Sequence, residues 1–136
     1  MIRDCLVPAL KREFAGWDIA FDTPPNPIAT FPASQGAAGR VFVHDDGDEV
    51  TIHIEKITHG HFNPYDETLS DEERARIITD DVIGFLKALF SDRVLLNVSD
   101  GHKSSGWARL DLTDKPVKLK ESTRYFLWSG AYEPPK

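Results

Sequence analysis

The spacing of apolar residues predicts two amphipathic helices. One extends from about Asp4 to Ala15, and a longer one covers the run 68–90. Ser70 and Glu73, at the start of the longer run, are typical of a capping box. Since each helix has a broad apolar side, both are expected to pack against a sheet. The apolar stripes consist of Ile2, Leu6, Leu10 and Phe14 in the first helix and of Ile78, Val82, Phe85, Leu86, Leu89 and Phe90 in the second.

Apolar and polar residues alternate in several shorter runs, which predicts strands. Strands that come in groups, without helices between them, indicate an α+β fold with an antiparallel sheet. We expect two helices packed on one face of a largely antiparallel sheet of roughly five to seven strands, in the order α-β(4)-α-β(3). The length of 136 residues fits a single domain over 1–136. The predicted strands lie within 17–22, 28–33, 40–45, 50–57, 93–100, 106–112 and 124–132.

A β-hairpin is the most strongly indicated element of the chain. Asp46 and Gly47 are a typical two-residue turn, and a turn there would place Val43 opposite Val50. Turn chemistry and hydrophobic alternation then agree on which residues share a face. The predicted apolar face consists of Val41, Val43, Val50, Ile52 and Ile54. The opposite face consists of Phe42, His44, Thr51, His53 and Glu55.

The segment ITHGHFNPYD follows this hairpin and contains two histidines. His59 and His61 share a face if the backbone stays extended. Ile57 is apolar at a position where the preceding strand has polar residues. Either another part of the chain covers Ile57 on that face, or a β-bulge near Glu55 and Lys56 turns both histidines toward the core. We expect the bulge.

The same segment is a candidate metal site. His59, His61 and Asp66 supply the imidazole and carboxylate ligands that zinc uses, and zinc is the candidate metal of a chain that otherwise indicates no cofactor. The spacing departs from the metallo-hydrolase pattern H-x-H-x-D-H, because Asn63 stands where that pattern has Asp. The alternative is that both histidines form local hydrogen bonds that hold the end of a strand.

Three further residues are candidate ligand-binding residues: His53, His102 and Trp107. No complete constellation of nucleophile, base and orienting group is present, so the sequence indicates no catalytic residue. Cys5, the only cysteine, lies on the apolar side of the first helix and is interpreted as a small buried hydrophobic residue.

Net charge narrows the classes of partner. The chain carries a formal net charge of −6 and has a pI near 5.3, which argues against binding to nucleic acid. Between His44 and Asp81 there are twelve acidic side chains and three basic ones. Such a segment attracts a basic partner, and the alternative, which base rates favour, is a solvated acidic face that maintains solubility. No apolar run approaches the ~20 residues of a membrane span. Charges interrupt the first apolar residues, so we expect no signal peptide and a cytoplasmic protein.

The segment DEVTIHIEKITHGHF, the helix after it and the segment RVLLNVSD resemble the middle of small uncharacterised bacterial α+β proteins, some of them immunity-like proteins of toxin systems. In those proteins a strand that ends in a His-x-His-Phe run leads into an amphipathic helix and a further strand. The resemblance implies a cytoplasmic binding protein rather than an enzyme, and it assigns no catalytic residue.

Three hypotheses for function follow. The first is a non-enzymatic, protein-binding module, immunity-like or of another interaction class, that uses the acidic middle segment and exposed aromatic side chains. The alternative is a small metal-dependent enzyme that uses the segment around His59 and His61. The third is a protein that self-associates as a homodimer through an edge strand.

Overall fold

Two helices form where the apolar spacing predicts them. The computed structural model describes residues 2–34, 38–114 and 117–132. Helix α1 spans Ile2–Glu13, two residues earlier than predicted, and α2 spans Asp71–Phe90. The predicted capping box is confirmed: the Glu73 N–H donates to Ser70 Oγ at 3.1 Å, and the Ser70 N–H donates to Glu73 Oε1 at 3.4 Å. Neither helix combines the length and the apolar character that crossing a membrane requires.

The strands of the described residues form two antiparallel sheets, so the α+β class is confirmed. The first sheet has the order β1-β2-β3-β4-β5 and the second the order β7-β6-β8-β9. The strands therefore divide between two sheets instead of forming one, and the edge strands β5 and β7 lie against each other. The strands are β1 (Ala20–Phe21), β2 (Ala29–Phe31), β3 (Val41–Asp45), β4 (Val50–Ile54), β5 (Thr58–Phe62), β6 (Val94–Ser99), β7 (Ser105–Arg109), β8 (Thr123–Leu127) and β9 (Gly130–Ala131).

The β3–β4 hairpin has the predicted faces but a different register. Val43 pairs with Ile52 rather than with Val50, and Asp45 pairs with Val50. The loop is therefore 46–49, two residues longer than the predicted turn. Because the shift is an even number of residues, every side chain keeps its face, and the predicted apolar face is buried.

Hydrogen bonds close the longer loop. In the longer loop the Asp46 N–H donates to the Glu49 carbonyl at 2.9 Å. The Gly47 N–H donates to Asp45 Oδ1 at 2.9 Å, with Gly47 at a φ of 96°.

The expected bulge near Glu55 and Lys56 is wrong, because the chain reverses there. Residues 55–57 form a tight turn, and β5 returns antiparallel to β4 with Ile54 paired to Thr58. Ile57 is buried in this turn, 9% exposed, which accounts for an apolar residue at that position. The predicted strand 50–57 therefore ends at Ile54, and β5 is an additional strand after the turn. The predicted strand 124–132 splits into β8 and β9.

Trp107 connects the two sheets. Its ring, on β7, lies over Gly60 of β5, so close that a Cβ at Gly60 would be 2.1 Å from the indole. The same ring packs on Phe85 of α2, with centroids 4.5 Å apart, and on Phe62, with centroids 6.3 Å apart. Gly60 therefore permits a close approach that any side chain would block. A single buried cluster includes residues of both helices and both sheets.

We predict that Gly60→Ala lowers the free energy of unfolding by about 3 kcal/mol, because the added methyl overlaps a rigid ring. Denaturation in urea measures the change. Gly84→Ala is the matched control: no atom lies within 4 Å of the added Cβ, so the helix should gain up to about 1 kcal/mol. Equal effects of the two substitutions would contradict the close approach.

We also predict that Thr79→Val raises the free energy of unfolding by about 1 kcal/mol. Thr79 is 5% exposed, and its hydroxyl has no hydrogen-bond partner among the described residues. Thr51 is equally buried, but its hydroxyl contacts Asp46 and His61, so Thr51→Val should lower the same quantity by about 1 kcal/mol. Thermal and urea unfolding of both variants test whether the two substitutions change the free energy of unfolding in opposite directions.

Candidate functional site

Four of the five histidines lie together on the outer face of the first sheet, the face turned away from the helices. The register aligns His44, Thr51 and His61 in one row across the strands, and it places His53 beside His59 in the next. Successive ring centroids are 5.2 Å apart for His44 and His53, 5.1 Å for His53 and His59, and 5.4 Å for His59 and His61. His59 and His61 thus share a face, but the expectation that it is the core side is wrong.

His53 occupies the centre of this group. Burial lowers the pKa of His53 below its ordinary value of 6.5, and the neighbouring His44 and His59 lower it further. Asp46 acts in the opposite direction, and His61 lowers the pKa slightly more. The centre of the face therefore resists protonation.

His61 lies beside two acidic side chains of the hairpin loop. Its Nδ1 is 3.0 Å from Glu49 Oε2 and 2.9 Å from Thr51 Oγ1. The Thr51 hydroxyl in turn donates to Asp46 Oδ2. One potential ligand atom each from Asp46, Glu49 and His61 lies within 4.8 Å of the other two, the one such group in the part of the chain that the structure describes.

Asp66, the carboxylate predicted beside His59 and His61, is not in that group. Its Oδ1 accepts hydrogen bonds from the Thr68 N–H at 2.9 Å and from the Thr68 hydroxyl at 2.6 Å. These bonds lower the pKa of Asp66, with a smaller contribution from the charge of Arg74. The carboxylates nearest to His61 come instead from the hairpin loop.

Residues 63–66 form a short ordered segment, which we call the Tyr65 loop. Tyr65 is 72% exposed and has a φ of 54°, which is uncommon for a bulky residue. Its N–H donates to Asn63 Oδ1 at 2.8 Å. The Arg74 guanidinium donates to the same Asn63 oxygen and to the Asp66 carbonyl, each at 3.0 Å. Side-chain hydrogen bonds thus hold the loop in a conformation that presents the aromatic ring to solvent.

The Tyr65 loop lies at the same end of the first sheet as the acidic hairpin loop. The register places Asp45, Val50 and Phe62 side by side, so the hairpin loop and the Tyr65 loop leave the same end of the sheet. We call this the acidic end. Its acidic residues are Asp45, Asp46, Asp48, Glu49, Asp66 and Glu67.

The opposite end of β4 carries a shallow cleft with basic residues. His53 and His102, two of the predicted ligand-binding residues, line a depression of about 410 Å³ together with His59. A neighbouring depression of about 480 Å³ has Lys56, His102 and Arg124 around Val98 and Phe126. Trp107, the third predicted ligand-binding residue, lies instead over Gly60.

Arg40 forms an ion pair with Glu55 at this end of β4. Its guanidinium donates to Glu55 Oε2 at 2.7 Å and to Oε1 at 3.3 Å. These hydrogen bonds lower the pKa of Glu55 to about 2. The charge of Lys56 makes a smaller contribution in the same direction.

Tyr65, Asp46 and Glu49 are the residues that sequence reasoning missed. Tyr65 follows the turn signal Asn63-Pro64 in a polar stretch, and that context could have indicated an exposed aromatic residue. The approach of Asp46 and Glu49 to His61 depends on the strand register and on the reversal at 55–57, which the local sequence does not specify.

Comparisons of the chain with protein-family models, with curated proteins and with solved structures find no match. The resemblance to immunity-like bacterial proteins stays a prediction. The basis for a function is therefore the arrangement of the histidines, the acidic end and the Tyr65 loop.

We predict that acidification from neutral pH destabilises the fold through His53. Because its pKa is lowered on folding, the unfolded state binds more protons between the folded value and 6.5. Stability should therefore fall as pH drops through about 6.5 and level off below the folded pKa. His53→Gln should reduce this slope in urea denaturation series. An NMR titration in which the His53 ring protonates at or above pH 6.5 would contradict the prediction.

Proposed function

We propose that this chain is a non-enzymatic bacterial protein of the cytoplasm that binds a basic surface of another protein through its acidic end. The observation that carries the proposal is Tyr65, exposed in a hydrogen-bonded loop at the end of the sheet from which the acidic hairpin loop also extends. Tyrosine and other aromatic residues are enriched at the energetic centres of protein interfaces.

The fixed conformation of the Tyr65 loop favours binding. A loop whose backbone is already fixed by hydrogen bonds loses little backbone freedom when a partner covers it. The ring is rigid, and its hydroxyl can form a hydrogen bond at the edge of an apolar contact. Asn63 and Arg74 supply the bonds that fix the loop, so we assign them a positioning role rather than direct contact with the partner.

Charge supplies the selectivity in this proposal. The six acidic residues of the acidic end would attract a partner with clustered Lys and Arg and repel acidic proteins. Asp66 is ionised at neutral pH, because its pKa lies below its ordinary value of 3.8. Association should therefore weaken as salt rises, because the Debye length shortens to about 8 Å at physiological ionic strength.

We predict that a photo-cross-linking amino acid in place of Tyr65 captures one discrete basic protein in cells of the source organism. The same amino acid in place of Leu112 is the control, because Leu112 is also 72% exposed and lies far along the chain, after β7. Mass spectrometry identifies the adduct. Absence of a specific adduct at position 65, or the same adducts at both positions, would contradict the proposal.

The affinity for the captured partner provides the second test. Tyr65→Ser should weaken binding by roughly tenfold or more, as expected for a central aromatic contact. Glu67→Lys should weaken binding at low salt, whereas Glu121→Lys, a matched charge reversal before β8, should not. Circular dichroism and thermal unfolding verify that each variant is folded.

The second candidate function is a small metal-dependent enzyme that uses the segment around His59 and His61. One observation favours it: His61 lies within ligand distance of two carboxylates. Such an activity requires a bound metal, so a purified chain that binds neither Zn²⁺ nor Co²⁺ in titration would contradict it.

A further inference from the structure

We propose that Asp46, Glu49 and His61 form a binding site for a divalent transition metal ion. The inference does not depend on the protein-binding proposal, because it concerns the purified chain alone. The site spans two elements, since Asp46 and Glu49 belong to the β3–β4 loop and His61 to β5. It differs from the site predicted by sequence, in which Asp66 and His59 accompany His61.

The distances fit a small ion after minor side-chain movement. In a tetrahedral zinc site with bonds of about 2.0–2.1 Å, ligand atoms are about 3.3 Å apart. Nδ1 of His61 and Oε2 of Glu49 are now 3.0 Å apart, and one ligand atom from each of the three residues fits within 4.8 Å of the others. The ion would therefore replace the contacts that His61 Nδ1 makes with Glu49 and with Thr51.

The imidazole distinguishes this group from an ordinary acidic cluster. One nitrogen and two carboxylate oxygens form a ligand set that suits zinc, cobalt or another first-row ion better than calcium or magnesium. Three protein ligands leave a position open to water or to a partner side chain. Binding through Nδ1 requires the ring proton of the neutral imidazole to sit on Nε2.

Thr51 supplies the supporting interactions. It is 5% exposed and lies between the acidic loop and the imidazole, where its hydroxyl donates to Asp46 and lies 2.9 Å from His61 Nδ1. An outer hydrogen bond of this kind orients a ligating carboxylate. The side chains are thus partly arranged before the ion arrives, since the pairing of Thr51 with His61 is fixed by the sheet.

The test is titration of the untagged, chelator-treated protein with Zn²⁺ by calorimetry and with Co²⁺ by visible absorption. We expect one ion per chain and, for Co²⁺, the absorption of bound cobalt. Asp46→Asn, Glu49→Gln and His61→Gln should each weaken binding by at least about tenfold. Two-dimensional NMR of the imidazole nitrogens should show that the chemical shift of His61 Nδ1 changes when the metal ion binds.

Two control variants separate this site from the alternatives. Asp66→Asn and His59→Gln each remove a residue of the set predicted from sequence, and each should leave the affinity within about twofold of wild type. Loss of binding in those variants, or retention in Glu49→Gln and Asp46→Asn, would overturn the proposal. Absence of binding to the wild-type chain would overturn it as well. Thermal unfolding without metal verifies that the variants are folded.

Discussion

The arrangement of the whole surface depends on one reversal of the chain, at residues 55–57. The Glu55 N–H donates to the Arg40 carbonyl at 2.9 Å, and the Lys56 N–H donates to the Ala38 carbonyl at 3.0 Å. The turn is thus held by a segment that precedes the hairpin, and the side chain of Ile57 is buried within it. Because β5 returns beside β4, the histidines come together on the outer face, and the Tyr65 loop leaves the sheet at the acidic end.

The reversal also separates charges. Acidic side chains collect where β4 begins, whereas Lys56 and Arg40 lie where it ends, and Arg40 is paired with Glu55. A chain with a net charge of −6 therefore has one strongly acidic end and one end with basic groups, rather than a uniform surface. The proposed partner site and the proposed metal site both belong to the acidic end. A cation bound there would change the charge that a partner meets, so the two proposals concern one surface.

The local sequence predicts which side of each helix or strand is buried. It predicts less well where a strand ends and which residues pair across a sheet. Alternation identified the buried side of β3 and β4, and the chemistry of Ser70 and Glu73 located the start of α2, because both signals are local. The reversal at 55–57 has no Gly, Pro, Asn or Asp. One local hydrogen bond, from the Ile57 N–H to the Ile54 carbonyl, closes it, and two others reach Arg40 and Ala38, which precede the hairpin. Its one sequence signal is Ile57, which breaks the alternation and is equally typical of a bulge. The neighbours of His61 could not be predicted for the same reason, since they depend on the register that follows the reversal.

The contact between Gly60 and Trp107 links two positions that are far apart in the chain. One strand lacks a side chain where the neighbouring sheet supplies an indole, and the ring fills the space that a Cβ would occupy. A larger residue at position 60 therefore requires a smaller residue at position 107. A relative with a side chain at position 60 should have a smaller residue at position 107, and a relative that keeps the indole should keep the glycine. Joint inheritance of the two residues would mark chains in which the sheets meet in this way.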